Sequence, residues 1–470
     1  MANKIVLINT PTKHKRFSSI IPLGLVNLGT ILKVSDYDVE LIDINAEKPY
    51  DLNLNPQPLK PHEFIQRIKK LDPDIVGITS YTENYPIAMK IANLCKNYNE
   101  RIKIIFGGVH ATFQALECMN ENPAIDIVLR GESEHLIIDV IKAFSGKLEF
   151  NKINNIVYRE NSLIKFAHTF TLPDLNTVPP PDLDLIKNKH YPPFSLPLES
   201  SRGCPFQCIF CCVSPSSNRE VRFFPPQRVA TTLNSYQERF GKYSFSITDS
   251  NFLLNPKRVY LLFKEIKDRK IILDNWLFQS NVTTINRELL TYLKCFNASR
   301  IFLGIEEIHD GILKTIEKNQ TFEQIENSIK VLHELDYVIH ANFIIGLPSQ
   351  TKELMLETLE FSKTVDYATF PCLVPFPGTK IFTSPDQFGL TILSKDWQLY
   401  TLMEIVLDSV SFPVVQQKQL QDLAWRLLAE RELEIDAPLY FRTKYYERLL
   451  DVGFERWNNE WKKEHESGWN

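Results

Sequence analysis

The 470-residue chain has no excess of positive charge: 53 Lys and Arg stand against 57 Asp and Glu, for a formal net charge of −4. That argues against binding nucleic acid through a bulk positive field and leaves only a local basic patch. The N-terminus, MANKIVLINTP, has no basic stretch running into an apolar one, so no signal peptide is expected. No run of about 18 apolar residues occurs, so no membrane span is expected and the chain is placed in the cytoplasm. Repeats and low-complexity tracts are also missing. No separate leader-peptide-binding domain is recognisable at either end, which favours a small molecule or short peptide as substrate.

At roughly 150 residues per domain, the length implies two to three domains. Residues 1–150 alternate short apolar runs, KIVLIN, VELIDI, DIVGIT, KIIFGG and IDIVLRG, with helix-like segments such as 24–34, 62–71 and 86–98. Such alternation predicts a doubly wound, Rossmann-like parallel sheet, which binds ligands at its C-terminal strand ends. The strands end in Thr79-Ser80-Tyr81, Gly107-Gly108-Val109-His110 and Arg130-Gly131-Glu132. These ends suit a bulky ligand approaching the backbone, or are ordinary strand-to-helix turns. Residues 151–195 are proline-rich and read as a linker. Residues 196–390 return to βα alternation, compatible with a full or partial barrel. Residues 391–470 read as a helical, capping region, with helices expected over 416–433 and 445–466. Its aromatics, including Trp425, Tyr440, Tyr445 and Tyr446, read as core.

Cysteines are crowded in RGCPFQCIFCC, with the spacing Cys204-x3-Cys208-x2-Cys211 and Cys212 adjacent. In a reducing compartment such a cluster is metal-binding or catalytic more often than disulfide-bonded. Structural zinc takes four ligands, usually as two separated pairs, and no second C-x2-C pair exists. Three thiolates leave an iron–sulfur cube with one iron lacking a protein ligand. A zinc site completed by Cys212 is the competing reading. Cys95, Cys118, Cys295 and Cys372 read as small buried apolar residues.

C-x3-C-x2-C with Phe210 before the third cysteine resembles the radical S-adenosylmethionine (SAM) superfamily. SITDSNFLLNP (246–256), FLGIEEIHDGILKTIEKNQT (302–321), FIIGLPSQT (343–351) and LVPFPGTKIF (373–382) match its later segments. IIPLGLVNLGTIL (20–32), DIVGITS (74–80), GGVHAT (107–112) and RGESE (130–134) resemble the cobalamin-binding domain fused to one radical SAM subfamily. The resemblance implies a cobalamin-binding α/β domain, then a partial (β/α)6 barrel. Cys204, Cys208 and Cys211 would hold a [4Fe–4S] cluster whose free iron chelates SAM. Phe210, Asp249, Ser250, Asn251, Gln279 and Glu306 would lie at the SAM site, although strand-end acids often simply cap helices. Thr79, Ser80, Tyr81, Gly107, Gly108, Val109, His110, Arg130, Gly131 and Glu132 would line the cobalamin site. No histidine sits in a D-x-H-x-x-G motif, so His110 reads as a loop residue rather than a cobalt ligand. The implied activity is methyl transfer to an unactivated carbon, fed by an electron donor such as flavodoxin or ferredoxin. A radical rearrangement, cyclisation or epimerisation with the same cofactors is the alternative, and a non-catalytic cobalamin- or metal-binding regulator the third.

Overall fold

The structure is a computed structural model that describes residues 4–12, 20–47, 60–167, 169–187, 196–241 and 243–434. Strands β1 (Lys4–Asn9), β2 (Asp38–Asp43), β3 (Ile75–Thr79), β4 (Lys103–Gly107), β5 (Ile127–Leu129), β6 (Ile156–Glu160) and β7 (Leu163–Phe166) form one sheet. Their order is β2-β1-β3-β4-β5-β6-β7. The first five pair in parallel, and β6 and β7 join antiparallel. The 2-1-3-4-5 order is that of a doubly wound fold, with its switch point between β1 and β3.

These strands are apolar on both faces because both faces are covered. Val6, Ile8, Val76, Ile78, Ile104 and Phe106 pack under the helices Pro61–Leu71, Tyr85–Tyr98 and Ala115–Glu121. Ile5, Leu7, Ile75, Ile105, Ile127 and Leu129 face the opposite way. Their core takes in helix Leu23–Val34 and runs without a break into the second sheet.

The first domain extends past residue 150. β6 and β7 occupy the hydrogen-bonding edge of β5 that would otherwise be bare. The proline-rich segment that follows is an ordered strap. Leu175, Val178, Leu183, Leu185 and Ile186 are all buried. The Asp182 N–H donates to Thr30 Oγ1 at 2.8 Å. Gly29 gives the strap room, since a Cβ there would lie 2.7 Å from Leu185 Cδ1.

The second sheet comprises β8 (Leu196–Leu198), β11 (Phe245–Ile247), β12 (Trp276–Asn281), β13 (Ala298–Glu306), β14 (Val338–Phe343) and β15 (Tyr367–Thr369), all parallel and in that order. This is the partial (β/α)6 barrel. The chain breaks from the sheet after β8 and resumes as β9 (Ser201–Arg202), paired with β10 (Arg222–Phe223). The break has a cause: Asp249 accepts from the N–H groups of Ser200 and Ser201 at 2.7 and 3.0 Å.

The C-terminal region is less helical than expected. β16 (Leu390–Ile392) and β17 (Leu407–Ser409) form an antiparallel pair before the helix Val414–Glu434. Trp425 packs on the main core. The helix expected over 445–466, with Tyr440, Tyr445 and Tyr446, lies outside the described residues. Among the described residues no helix is long and apolar enough to cross a membrane.

Candidate functional site

β9 leads into Gly203, whose φ is +89° and whose Cβ, if present, would lie 2.0 Å from the Glu220 carbonyl oxygen. Only glycine fits there. Cys204, Cys208 and Cys211 follow on one loop, each half-buried. The loop is pinned at its buried centre. Ile209 N–H donates to the Ile316 carbonyl at 3.2 Å, and the Ile209 carbonyl accepts from Lys380 N–H at 3.1 Å.

Burial pushes the Cys208 thiol up to about 11; Lys318 opposes this, while Cys211, Glu306 and Cys204 reinforce it. Burial also raises Cys204 and Cys211. Thiols so placed need a bound cation to become thiolates. Among the described residues no three Cys, His, Asp or Glu side chains are grouped to hold one metal ion. Three soft sulfur donors on one pinned loop, with no fourth cysteine in a matching pair, fit an iron–sulfur cube with one iron lacking a protein ligand. Cys212 is also pushed up to about 11 by burial and sits at the N-cap of the short helix Val213–Ser216. Cys372 is buried and accepts from Gln421 Nε2 at 3.1 Å. Cys295 departs from expectation, standing exposed after the helix Arg287–Lys294.

Beside the loop stands Glu306, at the end of β13, in the left-handed region with φ +66°. Such a conformation costs a non-glycine residue about 1–3 kcal/mol and turns its side chain off the regular strand direction. The β13–β14 register shifts at this point. Glu306 Oε1 lies 3.2 Å from Lys318 Nζ. Burial works against the Lys318 charge, but Glu306 and Cys208 outweigh it and its pKa is raised. Gly304 leaves room for the pair: a Cβ there would meet Glu306 Oε1 at 2.8 Å and Lys318 Nζ at 2.9 Å. Lys318 was not singled out from the sequence. A lysine twelve positions after a glutamate has no local signature.

The other residues expected at the SAM site divide. Asn251 Oδ1 accepts from Ser280 Oγ, Thr284 Oγ1 and Asn281 N–H at 2.7, 3.0 and 3.3 Å. Its buried Nδ2 has no partner, a donor group left for a ligand oxygen. Gln279 is exposed and its amide stands 3.5 Å from the Ser250 carbonyl. Phe210 is half-buried against the core. Asp249 differs from expectation. Its buried carboxylate accepts from two N–H groups, from the hydroxyls of Ser200 and Ser201 at 2.6 Å each, and pairs with Arg258. Those five donors leave it a loop-bending role rather than a ligand contact.

At the first sheet, the ends of β3 and β4 touch. Ser80 N–H donates to the Gly107 carbonyl at 3.1 Å. Gly108 has φ +100°, and a Cβ would lie 2.4 Å from the Ser80 carbonyl oxygen. Ser80 Oγ is buried without a partner. Tyr81 and Val109 stand at this rim 58% and 38% exposed. Thr79 accepts Thr10 Oγ1 at 2.8 Å. Bare backbone, an orphaned hydroxyl and two exposed apolar side chains fit a large, flat, mostly apolar ring such as a corrin.

His110 is not in a loop. It belongs to the helix Val109–Phe113, is buried, and lies 4.3 Å from the Tyr85 ring and 5.0 Å from that of Trp397. Burial lowers its pKa to about 4. The end of β5 also differs from expectation. Arg130 stacks on Phe166 at 4.7 Å. Gly131 has Phe170 where a Cβ would go. Glu132 is engaged with Arg202 and Arg222 of the second domain. This strand end braces the domains, because its carboxylate is already matched by two guanidinium groups.

Two family models match the chain: the B12 binding domain over residues 12–141 and the Radical SAM superfamily over residues 198–362. An uncharacterised methyltransferase of Pyrococcus horikoshii is 31% identical over 427 residues, covering 89% of this chain and 90% of that one. An anaerobic magnesium-protoporphyrin IX monomethyl ester cyclase of Cereibacter sphaeroides is 27% identical over 338 residues, covering 68% of this chain and 55% of its own. Among solved structures, the radical SAM methyltransferase TsrM of Kitasatospora setae with cobalamin and a [4Fe–4S] cluster bound matches with a TM-score of 0.69 at 16% identity, over 83% of this chain and 80% of that one. The cofactor set of this domain pairing is cobalamin, SAM and a [4Fe–4S] cluster. With its three-cysteine loop, its Glu306–Lys318 pair and its glycine-ended first sheet on one continuous core, the chain belongs to the cobalamin-binding-domain radical SAM enzymes, related to cobalamin-dependent radical SAM methyltransferases.

Proposed function

We propose that this protein is a cobalamin-dependent radical SAM methyltransferase that methylates an unactivated carbon of a small molecule or peptide. The observation that carries the reading is the pairing, within one chain, of the pinned three-cysteine loop and a bare, glycine-turned sheet edge. When bound, the cluster with SAM supplies a 5′-deoxyadenosyl radical and cobalamin supplies the methyl group, chemistry beyond any side-chain base acting on an sp³ C–H bond.

The chain's own residues bind and position. Cys204, Cys208 and Cys211 would hold the cluster. Lys318 offsets negative charge beside it and suits the SAM carboxylate; Glu306 suits its ammonium group. Asn251 Nδ2 is a donor awaiting an oxygen. Tyr81, Val109 and the Ser80–Gly108 turn would support the corrin. Trp397 closes over His110 and keeps water from the helix behind that turn. Reducing equivalents would come from a donor such as flavodoxin or ferredoxin, and the protein would work in the cytoplasm.

The cyclase relative supports a second reading, radical cyclisation or rearrangement with the same cofactors. An anaerobic incubation with methyl-labelled SAM and a small-molecule extract separates them. A labelled organic product together with 5′-deoxyadenosine is expected. Deoxyadenosine with no labelled product favours the second reading. Neither product from fully loaded protein leaves the regulator reading.

A further inference from the structure

The two cofactor edges are joined by side chains that the proposed reaction does not use. Arg202 directly precedes Gly203 and Cys204. Its guanidinium reaches Glu132 and Glu134 of the first domain at 2.6 Å each, and Glu199 at 2.7 Å. Arg222, its register partner across β9–β10, also pairs with Glu132. Two arginines opposite one another on a strand pair repel. Glu132, brought in from the other domain, is the carboxylate the two share. Arg202 is also 5.2 Å from the Phe224 ring. Arg228 lies 3.8 Å from the same ring and donates to Asn27 of the first domain at 3.3 Å.

The connection continues to the first sheet's edge. Gly131 N–H donates to Thr112 Oγ1 at 2.9 Å, and Thr112 Oγ1 donates to the Gly108 carbonyl at 2.9 Å. Two glycines flank the Glu132–Arg202 pair where the chain leaves no room for a side chain: a Cβ at Gly131 would lie 2.7 Å from Phe170 Cζ, and one at Gly203 2.0 Å from the Glu220 carbonyl oxygen. The path Gly108–Thr112–Gly131–Glu132–Arg202–Gly203–Cys204 therefore consists of hydrogen bonds, one bidentate-capable ion pair and covalent bonds.

We propose that Arg202, held by Glu132 and Glu134, is a positioning residue that fixes the separation between the cobalamin edge and the cluster loop. The proposal rests on the cofactor reading above. A positioning role matters because reactants held at productive distance avoid a large entropic barrier, and a shift of about 1 Å can cost about a hundredfold in rate.

The test is distance measurement by pulsed EPR between the reduced [4Fe–4S] cluster and cob(II)alamin in the reconstituted full chain. Wild type is expected to give one narrow distance. Arg202→Gln is expected to keep its iron and cobalamin content but lose the narrow distance. Arg202→Lys, which keeps the charge and loses the fork, should fall between. Hydrogen exchange of the cofactor-free protein should rise together at 131–135 and 203–212 in Arg202→Gln. An unchanged distance in Arg202→Gln overturns the proposal and leaves the cofactor reading intact. Wild-type protein that takes up the cluster but no cobalamin overturns both. If Arg202→Gln does not fold, Glu132→Gln decides, since Arg202 then retains Glu134 and Glu199.

Discussion

At the carboxyl ends of the barrel strands, the charged side chains are matched to one another, and Asn251 Nδ2 is the donor left over. Asp249 is surrounded by donors, Glu306 faces Lys318, and Arg258 pairs with Asp249. At the carboxyl ends of the first sheet, ligand-facing character comes from the main chain instead: a glycine with φ +100°, an orphaned serine hydroxyl, and apolar Tyr81 and Val109 at the rim. One edge is built by charge and the other by shape. Charge suits a cluster and a zwitterionic amino acid, which need fixed dipoles in a site that excludes water. Shape suits a broad ring whose surface is mostly carbon.

The sharpest break in this comparison is Cys208→Ala. Removing one of three cluster ligands should abolish the broad iron–sulfur absorbance and all 5′-deoxyadenosine formation, while cobalamin uptake by the other edge persists. Next is Lys318→Met. Leaving Glu306 buried without its cation should cost about 4 kcal/mol in a denaturant titration, and SAM affinity should fall about tenfold, equal to about 1.4 kcal/mol. Cobalamin affinity should not follow.

The first edge is tested by pH. His110 is buried neutral, with its pKa lowered from 6.5 to about 4. Below pH 6.5 the unfolded chain takes a proton that the folded chain refuses. Stability is therefore complete above about 6.5 and falls as pH drops toward 4, by about 3 kcal/mol for a shift of about 2.5 units. His110→Phe, which keeps an aromatic ring between Tyr85 and Trp397, should lose about that much less across the window. Its cobalamin spectrum should match wild type at neutral pH. The smallest effect is Gly108→Ala. Strain at positive φ and the clash with Ser80 should cost about 2 kcal/mol in thermal unfolding, and cobalamin uptake should drop while the cluster assembles normally.

The same contrast explains what could be read from the sequence. Both βα arrays and the three cysteines were legible because hydrophobic period and thiol spacing are local signals. Glu306 was legible through its motif, but Lys318 was not, because its partner comes from the other side of a turn and helix. Glu132 and Asp249 were legible as polar residues at strand ends, yet what satisfies them is distant: Arg202 lies 70 positions from Glu132, and Ser200 49 from Asp249. His110 misled because GGVHAT looks like a glycine loop, whereas one turn of helix begins at Val109 and carries the ring into an aromatic cluster. The first domain's extension to Phe166 was hidden by the weak pattern of two short antiparallel strands.

The strap over residues 172–187 has a further meaning for how such chains are assembled. Leu175, Val178, Leu183 and Leu185 fill the space between the first sheet and the barrel, and Gly29 is hollowed to seat one of them. A cobalamin-binding domain excised at its last strand would leave behind part of its own interior. Grafting this module onto a different barrel therefore means carrying the strap with it, and a partner whose outer helices can accept the same row of leucines.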